Sequence, residues 1–365
     1  MHLYFHVPFC ARRCSYCDFA IAVRKETPSD GYVEVVLREW ASWQDHPAWR
    51  DQPVVGTIYF GGGTPSRLAP AGIAAILDRV RTDRPVDPAA EVTLEANPDD
   101  VSSAAAEAWR AAGVTRLSLG AQSFSNEALR WMHRTHEPAA IGRAVAIGRA
   151  AGLADISLDL IFALPADVPR SWEADLDRAL ALEPDHVSLY GLTTEPHTPL
   201  ARWTAGGRVR PADDARYAAE YLLAHDRLEV AGLEHYEVSN AARPGRRARH
   251  NSAYWRRAPF IGLGPSAHSG LGASRRWNLR EWAGYERAVL SGQGWVAGEE
   301  VLASDAVHLE EVYLGLRTLD GVPEAWVPAP RRSEWVGQGW ARLDSGRVIL
   351  TTEGWLRLDA LVGAI

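Results

Sequence analysis

The sequence predicts an α/β chain: a partial (β/α)6 TIM-like barrel followed by a small C-terminal α+β, winged-helix-like domain. Three observations carry this. Short β-branched strands alternate with amphipathic helices from His2 to Tyr190, the rhythm of a parallel sheet with helical crossovers. Six such units are too few to close an eight-stranded barrel. Beyond about Trp277 the rhythm is lost, and helices, a hairpin and a last helix follow.

Taken in order, residues 2–7 read as the first strand, followed by a cysteine-bearing loop and an apolar-periodic helix from Ser29 to Trp43. Val54–Phe60 is β-branched and aromatic, a buried strand that stops at Gly61-Gly62-Gly63. A helix over Ala69–Arg81 leads to a strand at Glu91–Ala96. The helix Val101–Ala112 is ended by Gly113, whose αL freedom suits a C-cap. Arg116–Gly120 is the fourth strand, and helices over Asn126–His133 and Ala139–Ala151 follow it. Ile156–Phe162 is the fifth strand. The helix Trp172–Leu182 stops before Pro184, and His186–Tyr190 is the sixth strand. A helix over Ala212–Ala231 and a strand over His235–Val238 complete a first domain, residues 1–240. Residues 241–276 read as a connecting segment, with His250, Asn251, Tyr254 and Trp255 on a loop. Residues 277–365 form the last domain: helices at Asp305–Leu319 and Arg332–Gly337, a hairpin at Ala341–Leu350 turning on Asp344-Ser345-Gly346, and a helix at Glu353–Val362.

Composition bounds the function. At 365 residues, 47% hydrophobic and 23% charged, the chain has the make-up of a soluble globular protein. A net charge of −7 argues against bulk nucleic-acid binding, so the winged-helix-like tail is expected to contact protein rather than DNA. No apolar run approaches the ~20 residues that span a bilayer. No signal-peptide pattern follows Met1. A cytoplasmic protein without a membrane anchor is the expectation.

The only cysteines are Cys10, Cys14 and Cys17. An odd count on one short loop excludes a disulfide-stapled secreted fold. Three thiolates on one loop can hold three corners of a 4Fe-4S cluster. The fourth iron then lacks a thiolate and is open to a small chelate. The amine and carboxylate of S-adenosylmethionine (SAM) offer one. Zinc is the competing reading, with His6 completing a Cys3His set, but the spacing is not that of a ribbon or knuckle. The other strand ends supply polar or glycine residues, as a pocket at one end of a parallel sheet requires. They are Gly61-Gly62-Gly63-Thr64-Pro65, Glu95, Gln122, Asp159 and Tyr190-Gly191, while strand interiors read as apolar. The glycines can bring backbone close to a methionyl ammonium and carboxylate. Glu95 can accept from ribose hydroxyls or the ammonium.

With these residues in place, the chain resembles the oxygen-independent coproporphyrinogen III oxidase family of radical-SAM proteins. The resemblance rests on Cys-x3-Cys-x2-Cys with Tyr4-x-His6-x-Pro8-Phe9 before it, Gly61-Gly62-Gly63-Thr64-Pro65, Glu95, Gln122, Arg134 and Asp159-Leu160-Ile161, and it runs over about the whole chain. It implies that Tyr4, Gly62 and Glu95 bind the cluster-bound SAM. Gly63, Thr64, Gln122, Arg134 and Asp159 match a second SAM site, and Tyr16 matches the aromatic before the third cysteine. The oxidases carry a further cysteine two residues after the third ligand; here that position is Phe19. Cys-x2-Cys-Asp-Phe and His250-Asn251-x2-Tyr254-Trp255 resemble the heme-chaperone branch of the family instead, where the second motif is associated with heme binding. The resemblance therefore implies heme as cargo and acceptor hemoproteins such as respiratory cytochromes as partners, with a homodimer left open. The rival is the oxidase activity itself, oxidative decarboxylation of coproporphyrinogen III. If heme binds, its iron takes Cys, His, Met or Tyr. The cysteines are committed, so His250 or Tyr254 is the expected ligand, with His268, His133 and His136 in reserve.

Overall fold

The computed structural model describes residues 1–365. Its main sheet has twelve strands. In chain order the strands of the protein begin with β1 (His2–Val7), then a two-residue pair, β2 (Phe9–Cys10) and β3 (Ala22–Val23), that forms its own ribbon beside the cysteine loop. The expected barrel strands follow as β4 (Val55–Gly62), β5 (Val86–Ala96), β6 (Arg116–Gln122), β7 (Asp155–Phe162) and β8 (His186–Gly191). With β1 they lie side by side and parallel, in chain order. Each is separated from the next by a helix that covers the outer face. Leu3, Phe5, Ile58, Phe60, Leu117 and Leu158 point outward into that helical layer and are fully buried.

The helices start and stop where local chemistry dictates. Ser102 caps the helix Ser103–Ala112 by accepting the Ala105 N–H, and Gly113 at φ 99° closes it. Asp213 caps Asp214–Val230 in the same way. The helix expected to reach His133 ends at Trp131, because His133 itself adopts φ 61°.

The sheet is open and extends further than expected. On one side β10 (Asn240–Ala242) adds antiparallel to β8, and β9 (Glu234–Glu237) adds antiparallel to β10 at the edge. On the other, β11 (Phe260–Leu263) pairs parallel with β1, a seventh parallel strand. A meander, β12 (His268–Leu271), β13 (Ser274–Asn278) and β14 (Val296–Val301), continues from it. The segment 241–276 thus contributes strands to the main sheet, and sheet pairing runs on to Val301, past the expected boundary at residue 277. These strands are only four to six residues long and follow Gly- and Arg-rich stretches, so their periodicity is weak. Glu39, fully buried on the first helix, holds this region down. It accepts the Gly264 N–H at 2.8 Å, the Asn278 amide at 2.7 Å and the Tyr285 hydroxyl.

A second, smaller core starts with the helix Ser304–Leu316. It is followed by β15 (Val322–Pro323), the helix Ala329–Gly337, the hairpin β16 (Ala341–Asp344) and β17 (Arg347–Leu350), and two short helices, Thr352–Trp355 and Leu358–Val362. Helix, strand, helix, hairpin is a winged-helix-like order. The hairpin turns on Ser345 and Gly346, both at positive φ, as a tight turn between twisted strands requires. No helix of the protein is long and apolar enough to cross a membrane.

Candidate functional site

The C-terminal ends of the parallel strands converge on the cysteine loop. The loop is tied down by backbone on both flanks. Ala22 N–H donates to Pro8 O at 2.7 Å, Arg24 N–H to Cys10 O at 2.9 Å, Ser15 N–H to Met132 O at 3.2 Å and Leu200 N–H to Ser15 O at 2.9 Å. Cys10 is buried, and Cys14 and Cys17 are half-buried. Burial pushes the Cys10 thiol up, and that of Cys17 up to about 11. Thr64 Oγ1 donates to Cys10 Sγ at 3.4 Å, and Arg134 Nη1 approaches Cys14 Sγ at 3.7 Å. His6, the residue that would complete a Cys3His zinc set, is spent elsewhere. Its Nε2 donates to Ala20 O at 2.9 Å and its Nδ1 accepts from Tyr4 OH at 3.1 Å.

The glycine run is shaped to this loop. Gly62 sits at φ 114°, and a Cβ there would lie 2.6 Å from the His6 ring. A Cβ on Gly63 would lie 2.7 Å from Pro8 O and 3.0 Å from Cys10 Sγ. Only glycine leaves the cradle open beside the thiols. Glu95 reaches the same place from β5. It accepts the Gly62 N–H at 3.0 Å and the Tyr59 hydroxyl at 2.7 Å. Burial raises its carboxyl to about 7 against the pull of those two donors. Tyr4 lies over Gly61 on the other side.

Arg134 organises the far wall. Its Nη2 donates to Gly120 O at 2.9 Å and to Asn97 Oδ1, while its Nε is buried without an acceptor. Gln122, at φ 64°, brings its amide to the same side of Gly120. Asp159 accepts from Ser118 Oγ at 3.1 Å, and burial raises its carboxyl to about 6. Tyr16 packs on the small cluster around Leu129 and Met132, next to Arg134. The structure thus brings Tyr4, Tyr16, Gly62, Gly63, Thr64, Glu95, Gln122, Arg134 and Asp159 to one end of the sheet with the three cysteines.

These residues fit a cluster and its SAM. Three soft donors share one loop, a cradle that a Cβ would fill lies beside them, and an orphaned guanidinium N–H faces the same wall. When bound, such a cluster supplies one-electron chemistry to SAM at its open iron.

His250 and Tyr254 lie elsewhere. They sit on a helix, Arg249–Trp255, rather than a loop, at the opposite end of the strands. Glu91 caps that helix, accepting the N–H groups of Arg249 at 3.0 Å and His250 at 2.9 Å. His250 is buried, its Nδ1 bonded to Thr57 Oγ1 at 2.7 Å and its Nε2 to Tyr254 OH at 2.8 Å. Burial drives its pKa down to about 3, so it is neutral. Thr57 and Gly62 are five residues apart on β4, about 16 Å of strand. Tyr59 bridges the gap, stacked on His250 at 5.0 Å and bonded to Glu95.

The strand interiors expected to be apolar are polar on the inward side. Arg116 pairs with Asp155 at 2.9 Å, Ser157 with His186 at 2.8 Å, and His186 with Tyr236 OH at 2.9 Å. The period-two pattern Glu91-x-Thr93-x-Glu95 and His186-x-Ser188-x-Tyr190 is the signal that marks this lining.

The profile of the radical SAM superfamily matches residues 4–179. A protein named heme chaperone HemW from Mycobacterium tuberculosis (strain ATCC 25618 / H37Rv) is 37% identical over 363 residues, covering 99% of this chain and 93% of the relative. Heme chaperone HemW from Synechocystis is 37% identical over 340 residues, 91% of this chain and 81% of that one. Among solved structures, coproporphyrinogen III oxidase (HemN) from Escherichia coli superposes with a TM-score of 0.81 at 22% identity, over 99% of this chain and 88% of that one. That likeness establishes the fold. Full-length identity of this order, on a chain whose cysteine loop, glycine cradle and strand-end carboxylates meet at one end of the sheet, places the protein in the HemW family of radical-SAM proteins.

Proposed function

We propose that this chain binds heme and passes it to acceptor hemoproteins, respiratory cytochromes among them. In this reading it carries a 4Fe-4S cluster on Cys10, Cys14 and Cys17, with SAM at the open iron. The observation that carries it is Phe19. It stands where the oxidases of the wider family have a further cysteine, it is 58% exposed, and its backbone neighbours belong to the cluster loop. The names of the full-length relatives support the same reading.

Tyr4, Gly62 and Glu95 receive the cluster-bound SAM. Gly63, Thr64, Gln122, Arg134 and Asp159 surround a second site whose occupancy the chaperone reading does not require. Half-buried Glu95, bonded to Tyr59 and the Gly62 N–H, orients the cradle. Arg134 sets positive charge beside thiolates that would otherwise repel each other. For heme iron, His250 or Tyr254 would be the ligand. Ligation by either would take the place of their mutual 2.8 Å bond, and His250, held neutral by burial, would offer iron an uncharged imidazole nitrogen.

The test is a hemin titration of anaerobically reconstituted protein, followed by Soret absorbance, with His250→Ala and Tyr254→Phe in parallel. A stoichiometric complex weakened by either substitution supports the reading. Failure of the wild type to bind defeats it. Conversion of coproporphyrinogen III to protoporphyrinogen at enzymatic rates would replace it with the oxidase.

A further inference from the structure

The helix Arg249–Trp255 has two faces, and only one looks at the barrel. His250 and Tyr254, four residues apart, meet Thr57 and each other on the barrel side. Ser252, Trp255 and Arg256 lie on the opposite side, as 3.6 residues per turn requires. They line a cavity of about 440 Å³ between this helix and the C-terminal module. That volume lies within the range of small-molecule sites.

Its chemistry is specific. Trp255 from the helix and Trp326 from the module give it aromatic surface. Four arginines against two acids line it, in a chain whose net charge is −7. Three of those arginines retain N–H groups without a protein acceptor. Arg256 uses only Nη2, at 3.3 Å from Asp320, and is 66% exposed. Arg347 spends Nε and Nη2 on the carbonyls of Asp320 and Gly321, leaving Nη1. Arg247 spends Nε and Nη2 on Glu234, leaving Nη1 as well. The Trp255 indole N–H is buried with no acceptor, its ring covered on one face by the Arg317 guanidinium at 4.4 Å. A buried N–H left unpaired is destabilising unless a ligand or water meets it.

We propose that this cavity is a seat for the carboxylate-bearing edge of a tetrapyrrole. The indoles pack against the ring, Arg256, Arg347 and Arg247 receive its carboxylates, and the Trp255 N–H donates to one of them. This rests on the heme reading and adds a site to it: recognition through the ring edge, on the face of the helix away from His250 and Tyr254, without iron ligation. A metal-free porphyrin is therefore a ligand in its own right.

The experiment titrates the full chain with metal-free protoporphyrin IX by fluorescence anisotropy, and with hemin by absorbance. Arg256→Glu, and Arg256→Glu with Arg347→Glu, are expected to weaken both ligands, the double variant by at least about tenfold. Trp255→Phe, which keeps an aromatic ring but loses the indole N–H and part of the ring surface, is expected to weaken them several-fold. Arg342→Glu, an exposed charge outside the cavity, serves as the control and leaves both unchanged. Because Arg256 is exposed, its single variant folds as the wild type and keeps the test decisive if the double variant does not. Protoporphyrin binding unaffected by Arg256→Glu, with hemin still bound, overturns the seat and leaves the heme reading standing. Displacement of protoporphyrin by ATP as readily as by coproporphyrin also overturns it, since the cavity would then read charge alone. If the wild type binds neither porphyrin, the heme reading fails and the seat fails with it.

Discussion

Glu95 shows how a single residue ties fold to chemistry. Its carboxyl is half-buried, raised to about 7, and bonded to Tyr59 and to the Gly62 N–H. An acid whose folded pKa lies above its unfolded value binds more protons folded than unfolded between the two. Stability therefore falls as pH rises through that window, here from about 4.5 to about 7. Asp159, raised to about 6, adds to the same slope. Urea unfolding of the cluster-free chain at pH 5, 6, 7 and 8 should show this decline, and Glu95→Gln should flatten it. A steeper or unchanged slope in the variant would count against the assignment. Glu95→Gln should also weaken SAM binding to reconstituted protein by about tenfold, the worth of one charge-assisted hydrogen bond. Glu95 was legible because it lies next to the end of its strand, and Asp159 because it breaks a largely apolar one. Glu91, Arg116 and His186 were not, because an alternating polar position reads as a water-facing side of a strand until the sheet curls around it.

At the scale of elements, two junctions depend on single groups. Gly62 combines positive φ with a Cβ position 2.6 Å from His6, so Gly62→Ala meets both backbone strain and a clash. It should lower stability by about 2 kcal/mol or more and reduce iron and sulfide retained per chain after reconstitution. The second junction is the cap that Glu91 places on the helix Arg249–Trp255. Glu91→Ala should cost about 1–2 kcal/mol, and hydrogen exchange should rise selectively at residues 249–255. Uniform protection there in the variant would mean that Thr57 and Tyr59 hold the helix alone. The helix reads as a loop in the sequence because its cap is supplied by a residue 158 positions earlier, and no local cap precedes it. The barrel strands and helices, by contrast, carry their own punctuation in Gly113, Ser102 and Asp213.

At the scale of the whole molecule, two cores meet along the motif helix. The first spans the sheet and its outer helices, and the second is the C-terminal module. Arg257 spans them. It donates to Glu310, to Glu311 at 3.1 Å and to Gly272 O at 3.0 Å, and is 11% exposed. Arg257→Ala should uncouple the cores by about 1–3 kcal/mol, discounted because its acidic partners are partly exposed. Scanning calorimetry should then resolve an earlier transition for the module; a single unshifted transition would show that packing alone joins them. This junction was hidden in the sequence because β11 to β14 return to the sheet after β9 and β10 have formed its other edge. Nothing local in residues 260–301 announces that return.

The proposed function turns on heme leaving this protein for another. Its most direct measurement loads the reconstituted chain with hemin, removes free hemin, adds an apo-cytochrome, and follows the Soret band of each protein after rapid separation. The prediction is stoichiometric loss from the chain with matching gain in the acceptor. Transfer should fall when Tyr254→Phe is the donor. Heme that never binds stoichiometrically, or that stays bound in the presence of excess acceptor, would rule out the proposed transfer.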